Sequence, residues 1–404
     1  MRIKENMLAL YGGKPTRATV LPFGRPDIRD EEIKAVIQVL RSKWIGTGPK
    51  VPQFEEEMRK YLGAENVLAT NSASSALHLA LIGAGVGPGD EVITSPITFP
   101  STVNMIENLG ARPVFIDVDP ETGLLDLSML ERAVTKRTRT ILPVHLYGQP
   151  CDMDKIWSIA ERFHLLVVED AAEALGAEYK SKKIGSRGDF IAFSFAVNKV
   201  ITSAEGGILA INRKSKDIVD RLRMYTLHGM NKDALMKYPY RGFTEHFVEV
   251  PGFKYNMTDI HAAIGLAHLS RIKDLLRRRT EIWNMYNQGL KELPVKIPKP
   301  LQKISEHGMC FYVIRLDLNK LKVDRNTVQK ALKAENIGTA IHFFPMHLQP
   351  YYMKKYGYKK GDFPYAEEFA DGIISLPLAT DLRNSEIQDV IKAVKKVLLY
   401  FVGN

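Results

Sequence analysis

Residues 193–207 read FSFAVNKVITSAEGG, and the fold turns on what this stretch does. An apolar run ends at Phe195, one lysine follows at Lys199, and Gly206 and Gly207 open the next apolar run, ILAIN. Strand, loop and strand in that order set an amine at the mouth of a sheet. A lysine amine with its ordinary pKa near ~10.4 is protonated at neutral pH and a poor nucleophile. Desolvation or a neighbouring cation lowers that value and frees the lone pair to condense with a carbonyl. Taken alone, the window favours a solvated loop lysine over such a nucleophile, because most lysines are solvated.

Outward from it, short apolar runs alternate with helical segments. The runs are NVLAT (66–70), DEVITSP (90–96), RPVFIDV (112–118), TILPVHL (140–146), HLLVVED (164–170), DFIAFSF (189–195) and GGILAIN (206–212). Near-continuous apolar strands separated by helices predict an α/β fold with a mainly parallel seven-stranded sheet flanked by helices. Ahead of them, residues 27–42 predict a helix capped by Asp27 or Asp30, with Ile33, Val36, Ile37 and Leu40 on one face. Residues 221–250 have no clean period and read as a loop-rich segment able to carry binding groups. One or two long helices follow over 258–290, and Pro294, Pro298 and Pro300 punctuate a boundary. Beyond it, CFYVIRLDL, a helix near Arg325, the strand-like IGTAIHF (337–343) and a helix from Ser385 predict a smaller C-terminal α+β domain. The expected division is an arm (1–25), a large domain (26–290) and a small domain (291–404).

The 404 residues suffice for two domains, and Cys151 and Cys310 form no CxxC pattern. Two distant cysteines suit a reducing cytoplasm, and neither they nor the histidines have a metal spacing, so no metal is expected. No leader peptide and no membrane-spanning run are read. The net charge of +10 is scattered in short clusters such as Lys182-Lys183 and Lys359-Lys360. That pattern predicts a solvated surface attractive to small phosphorylated anions rather than a nucleic-acid face.

Open parallel sheets put chemistry at the carboxyl ends of their strands. Three such ends are informative. In NVLATNSASSALHLAL a strand runs into a helix through Ala73, Ser74 and Ser75, small residues that fit either a plain helix cap or a phosphate cradle. In HLLVVEDAAEALGA a strand ends in Glu169 and Asp170; a carboxylate there caps a helix or faces a pyridinium nitrogen, whose charge would keep it ionised. The third is the lysine stretch, with Ser194 five residues ahead of Lys199. Cradle, carboxylate and amine are what a pyridoxal phosphate site requires.

The chain resembles the DegT-type pyridoxal-phosphate-dependent nucleotide-sugar aminotransferases over nearly its whole length. The resemblance is carried by GTGPKVPQFEEE, NSASSALHLAL, GDEVITSPITFPSTVNMI, PVFIDVDPETG, PVHLYGQPCDMD, VVEDAAEALGA, FSFAVNKVITSAEGG, HGM, YNMTDIHAAIG and SLPL, in order. It implies the pyridoxal-phosphate-transferase fold type I. It also implies that Lys199 bonds the cofactor and shuttles a proton, that Asp170 pairs with the ring nitrogen, and that Ser194, Ala73 and Ser74 hold the phosphate. Phe99 falls where an aromatic stacks on the ring, its alternative being a core phenylalanine. Asn256 matches a position that reaches the phosphate of the neighbouring subunit, which implies a homodimer with shared sites. Glu173 stands where the family usually has His or Gln and is given a supporting role. The family's sugar dehydratases carry His in place of the lysine, and this chain keeps Lys199.

The implied reaction moves an amino group from glutamate to a keto sugar on a nucleoside diphosphate, with a UDP-4-keto sugar first among acceptors. His228, Arg241, His342, Phe343 and His347 are candidate substrate contacts. The opening MLALYGGKPTR resembles relatives that aminate cyclitols, which keeps a scyllo-inosose-type acceptor as an alternative. A catalytically silent cofactor-binding regulator is the reading from another class.

Overall fold

A computed structural model describes residues 7–230, 247–299 and 304–402. Seven strands form the central sheet: β1 (Asn66–Thr70), β2 (Glu91–Thr94), β3 (Arg112–Phe115), β4 (Thr138–Leu142), β5 (Leu166–Asp170), β6 (Phe190–Ser194) and β7 (Gly207–Ile211). Their order is β1-β7-β6-β5-β4-β2-β3, and only β7 runs antiparallel to its neighbours. Every residue of β2, β6 and β7 is buried, as expected of a sheet covered on both faces.

Register brings the informative ends to one edge. Thr70 pairs with Gly207 and Gly207 with Ser194; Ala192 of β6 pairs with Asp170. Because β7 is reversed, its first residue lies beside the last residues of β1 and β6. The loop between β6 and β7, which carries Lys199, therefore leaves and re-enters the sheet at that edge.

The helix Ala73–Gly83 follows β1 and lies on β6 and β7, burying every residue from Ser75 to Leu81. Gly83 is required there, since a Cβ would come within 2.8 Å of the Phe190 ring. Residues 258–290 form two helices, Asp259–Ser270 and Ile272–Leu290. A second hydrophobic cluster gathers Leu8 and Leu21 from the N-terminal segment, Ile282 to Leu290 of the long helix, the strands Tyr312–Leu316 and Ile373–Leu376, and the helix Asn384–Phe401.

Three local expectations are corrected. The helix Asp30–Ser42 is capped at Arg29, while Asp27 instead accepts bonds from Arg29, Arg271 and Thr380. Its apolar face is left open among the described residues, for Ile33, Ile37 and Leu40 are exposed. Residues 337–343 form no regular strand, only bridges from Ile337 to Leu21 and from Ala340 to Ser375.

Candidate active site

The lysine loop is closed by its own bonds. Phe195 N donates to Gly206 O at 2.9 Å, Ser203 N to Phe195 O at 2.9 Å, and Lys199 N to Ala196 O at 3.0 Å. Thr202 and Ser203 spend their hydroxyls inside the loop, on Phe195 O and Glu205 O. From the long helix, buried Arg279 donates to Lys199 O at 3.1 Å and to the carbonyls of Met309 and Cys310. The lysine backbone is thus fixed, and its side chain points into the protein, only 13% exposed.

Around the amine stand four groups. Glu173 Oε1 lies 3.3 Å from Lys199 Nζ, and the Phe311 ring centroid is 4.9 Å away. Asp170 and Cys310 both act electrostatically on it. Burial is the largest single influence and works to lower the lysine pKa, but Glu173, Cys310 and Asp170 together outweigh it and hold the amine above its ordinary value. Desolvation alone would therefore give the wrong sign for this lysine. Burial beside these charges also pushes the Cys310 thiol up to about 11.

Asp170 closes β5 with its carboxyl enclosed. Oδ2 accepts Thr102 Oγ1 at 2.5 Å and Oδ1 accepts Ala172 N at 3.1 Å. Burial raises its pKa, opposed by those two bonds. Thr102 is supplied by the first turn of the helix Pro100–Asn108, and Phe99 sits just ahead of that helix. Phe99 is 56% exposed, edge-on to Phe343 at 5.9 Å; it is not a core residue.

At the third position, the first amides of the helix Ala73–Gly83 belong to Ala73 and Ser74, and the opening amides of a helix have no partner within it. Ser72 caps the helix by accepting from Ser75 N. A Cβ on Gly207 would stand 2.6 Å from Ala73 N and 2.6 Å from Ser72 O, so only glycine lets β7 lie this close under the turn. Ser194 pairs with Gly207 beside it.

The other candidates separate. His342 stacks on Phe311 at 4.1 Å, bonds Ser375 Oγ at 2.7 Å, and has its pKa pushed down to about 3 by burial and the Lys199 charge. Phe343 is half-buried beside it. His347 is fully enclosed with Nε2 on Glu367, so it takes no part in the substrate reading below. Asn256 Nδ2 donates to Thr47 Oγ1 of its own chain at 2.6 Å. His228 is exposed, at a left-handed φ of 57°, and Arg241 lies outside the described residues. The sequence reading missed Thr102, Tyr147, Phe311 and Arg279. Thr102 alone had a signal, three residues past Phe99 in the same quoted block.

An enclosed acid, an amine reaching toward it and an anion cradle beside both match the three demands of pyridoxal 5′-phosphate. The molecule is an aminotransferase of fold type I that uses this cofactor. The sequence profile of the DegT/DnrJ/EryC1/StrS aminotransferase family matches residues 26–395, and the chain belongs to that family. The spore coat polysaccharide biosynthesis protein SpsC of Bacillus subtilis strain 168 is 44% identical over 379 residues, 94% of this chain and 97% of SpsC. Spr1654 of Streptococcus pneumoniae, provisionally described as a sugar aminotransferase, superposes in its PMP form with TM-score 0.88 at 33% identity, over 94% of this chain and 99% of that one. Helicobacter pylori PseC, an aminotransferase involved in the biosynthesis of pseudoaminic acid, gives TM-score 0.87 at 28% identity, over 95% and 100%. Among the described residues no group of His, Cys, Asp and Glu could hold a metal, and no helix is long and apolar enough to cross a membrane.

Proposed function

We propose that this chain transfers the amino group of glutamate to a keto sugar carried on a nucleoside diphosphate, with a UDP-4-keto sugar as acceptor, for polysaccharide synthesis. The observation that carries the reading is the one sheet edge to which the register brings the lysine loop, Asp170 and the strand that runs into the Ala73-Ser74 turn. The relatives named for spore coat polysaccharide and pseudoaminic acid support a sugar acceptor.

When bound, the cofactor supplies an aldehyde carbon and an electron-accepting ring. Lys199 Nζ would be the amine that holds the cofactor and the base that carries the substrate's C–H proton. Asp170, kept in place by Thr102 and Ala172, would keep the ring nitrogen protonated. The amides of Ala73 and Ser74, with Ser194, would hold the phosphate, and Phe99 would pack against the ring. His228, His342 and Phe343 are proposed sugar or diphosphate contacts; Arg241 is kept on sequence grounds alone.

Two copies are proposed to share their sites, with Asn256 reaching the partner's phosphate. The uncovered Ile33, Ile37, Leu40 and Ile45 are the support for a second copy. A cytoplasmic location is proposed from the two free, buried cysteines.

The test offers purified protein glutamate or glutamine with UDP-4-keto sugars or scyllo-inosose and follows products by mass spectrometry. An aminated UDP sugar formed with glutamate is expected. Amination of the cyclitol alone would move the assignment to that alternative. A bound cofactor whose spectrum ignores every amino donor would favour the silent regulator.

A further inference from the structure

Glu173 is more firmly held than a supporting residue needs to be. Its carboxyl is nearly enclosed, 6% exposed, and Oε2 accepts the Tyr147 amide at 2.7 Å. Tyr147 is itself in the left-handed region, φ 63°, where a non-glycine residue costs free energy. The Tyr147 hydroxyl donates to the carbonyl of His342, so the amide that fixes Glu173 is fixed in turn. This leaves Oε1 aimed at Lys199 Nζ, 3.3 Å away.

The other groups around the amine are poorly placed to take its proton. Asp170 has an oxygen bonded by Thr102 and another by Ala172, and it faces the ring nitrogen in the reading above. The Cys310 thiol is neutral across the working range, at about 11. His342 is neutral with Nδ1 on Ser375. The phenol of Tyr147 is engaged as a donor and raised by burial. Arg279 meets Lys199 only at its carbonyl.

We propose that Glu173 is the proton acceptor for Lys199. When the amine must attack, an N–H bond at Nζ breaks, an O–H bond forms at Oε1, and the nitrogen keeps its lone pair. Ammonium and carboxylate become amine and carboxylic acid, and the transfer reverses when the amine is next required as a charged group. The inference rests on Lys199 being the reacting amine. It separates the two duties of that lysine: the same carboxylate that keeps it basic enough to take a substrate proton also relieves it of that proton within contact distance.

The test measures the pH dependence of Lys199 acylation by a trace amine reagent in cofactor-free protein, read by peptide mass spectrometry, for the natural chain, Glu173→Gln and Glu173→Asp. Glutamine keeps an oxygen for the Tyr147 amide but no charge. In Glu173→Gln the midpoint should fall by about one pH unit or more, because a carboxylate in contact favours the ammonium. Glu173→Asp should retain a midpoint nearer the natural one. With cofactor and substrates, Glu173→Gln should lose about tenfold or more in kcat, with the KM for glutamate little changed. A midpoint unmoved in Glu173→Gln would overturn the proposal; should the glutamine variant not fold, an unchanged kcat in Glu173→Asp, whose carboxylate is withdrawn from Lys199 by one methylene, would do the same. If the natural chain forms no cofactor adduct at Lys199, the aminotransferase site itself fails; if the adduct forms and the midpoint stays, only the role of Glu173 does.

Discussion

Thr102 Oγ1 donates to Asp170 Oδ2 across 2.5 Å, and Thr98 Oγ1 lies 2.7 Å from Thr102 Oγ1. Since Thr102 gives its own proton to the carboxylate, Thr98 must donate to Thr102, and a short relay of hydroxyls orients the acid. Thr102→Val removes the donor at nearly constant shape and leaves a buried carboxylate oxygen short of a bond. The expected cost is about 1–3 kcal/mol of stability. Because loss of that bond lets the carboxyl pKa rise further, activity should drop more steeply toward acid than in the natural chain. Urea unfolding and a pH–rate profile check both.

Asp170→Asn should keep the fold and still take up cofactor, because phosphate cradle and amine are untouched. Without the negative charge the ring nitrogen is no longer held protonated, and turnover should fall by about 100-fold or more, in line with loss of an electrostatic partner in an active site. Cofactor absorbance and kcat separate the two effects; near-normal rates would mean another acid serves the ring.

Gly207→Ala tests the cradle. The added Cβ would meet Ala73 N and Ser72 O at 2.6 Å, so the turn must move. Affinity for pyridoxal phosphate should weaken by about tenfold or more, consistent with the loss of one well-made hydrogen bond to a charged group. Equilibrium dialysis of the cofactor reads this directly. Unchanged affinity would place the phosphate elsewhere.

His342 and His307 are both held neutral by burial, their pKa values pushed down to about 3. In the unfolded chain a histidine takes its proton near ~6.5. Acid therefore favours the unfolded state: the stability these groups contribute is present above about 6.5 and is lost progressively as pH falls toward 3. Each contributes a slope of up to about 1.4 kcal/mol per pH unit in that window. Urea midpoints at about pH 7 and pH 5 should differ in that direction, and His307→Gln should flatten the dependence.

Much of the fold was legible because the central strands are buried on both faces, which turns each into an unbroken apolar run. The edge that holds the site was legible for the same reason, since each run ends at Asp170, Ser194 or Thr70. Local capping was harder. Asp27 has the composition of a cap, yet its carboxylate is taken by Arg271 and Thr380, partners far away in sequence. The stretch IGTAIHF has strand composition, but its neighbours offer only single bridges. Nothing local announces the Tyr147 amide, because a tyrosine at positive φ is a tertiary imposition. The contact of Glu173 with Lys199 likewise depends on two strand ends being brought together across 26 residues of chain.

The chemistry of position 199 is the most direct test. Purified protein is incubated with pyridoxal phosphate, treated with borohydride and digested, and the peptides are mapped by mass spectrometry. The prediction is a single reduced pyridoxyl phosphate adduct on Lys199, absent from Lys199→Ala, which should stay folded by circular dichroism and be inactive. No adduct, or one carried by a different lysine, would contradict the site described here.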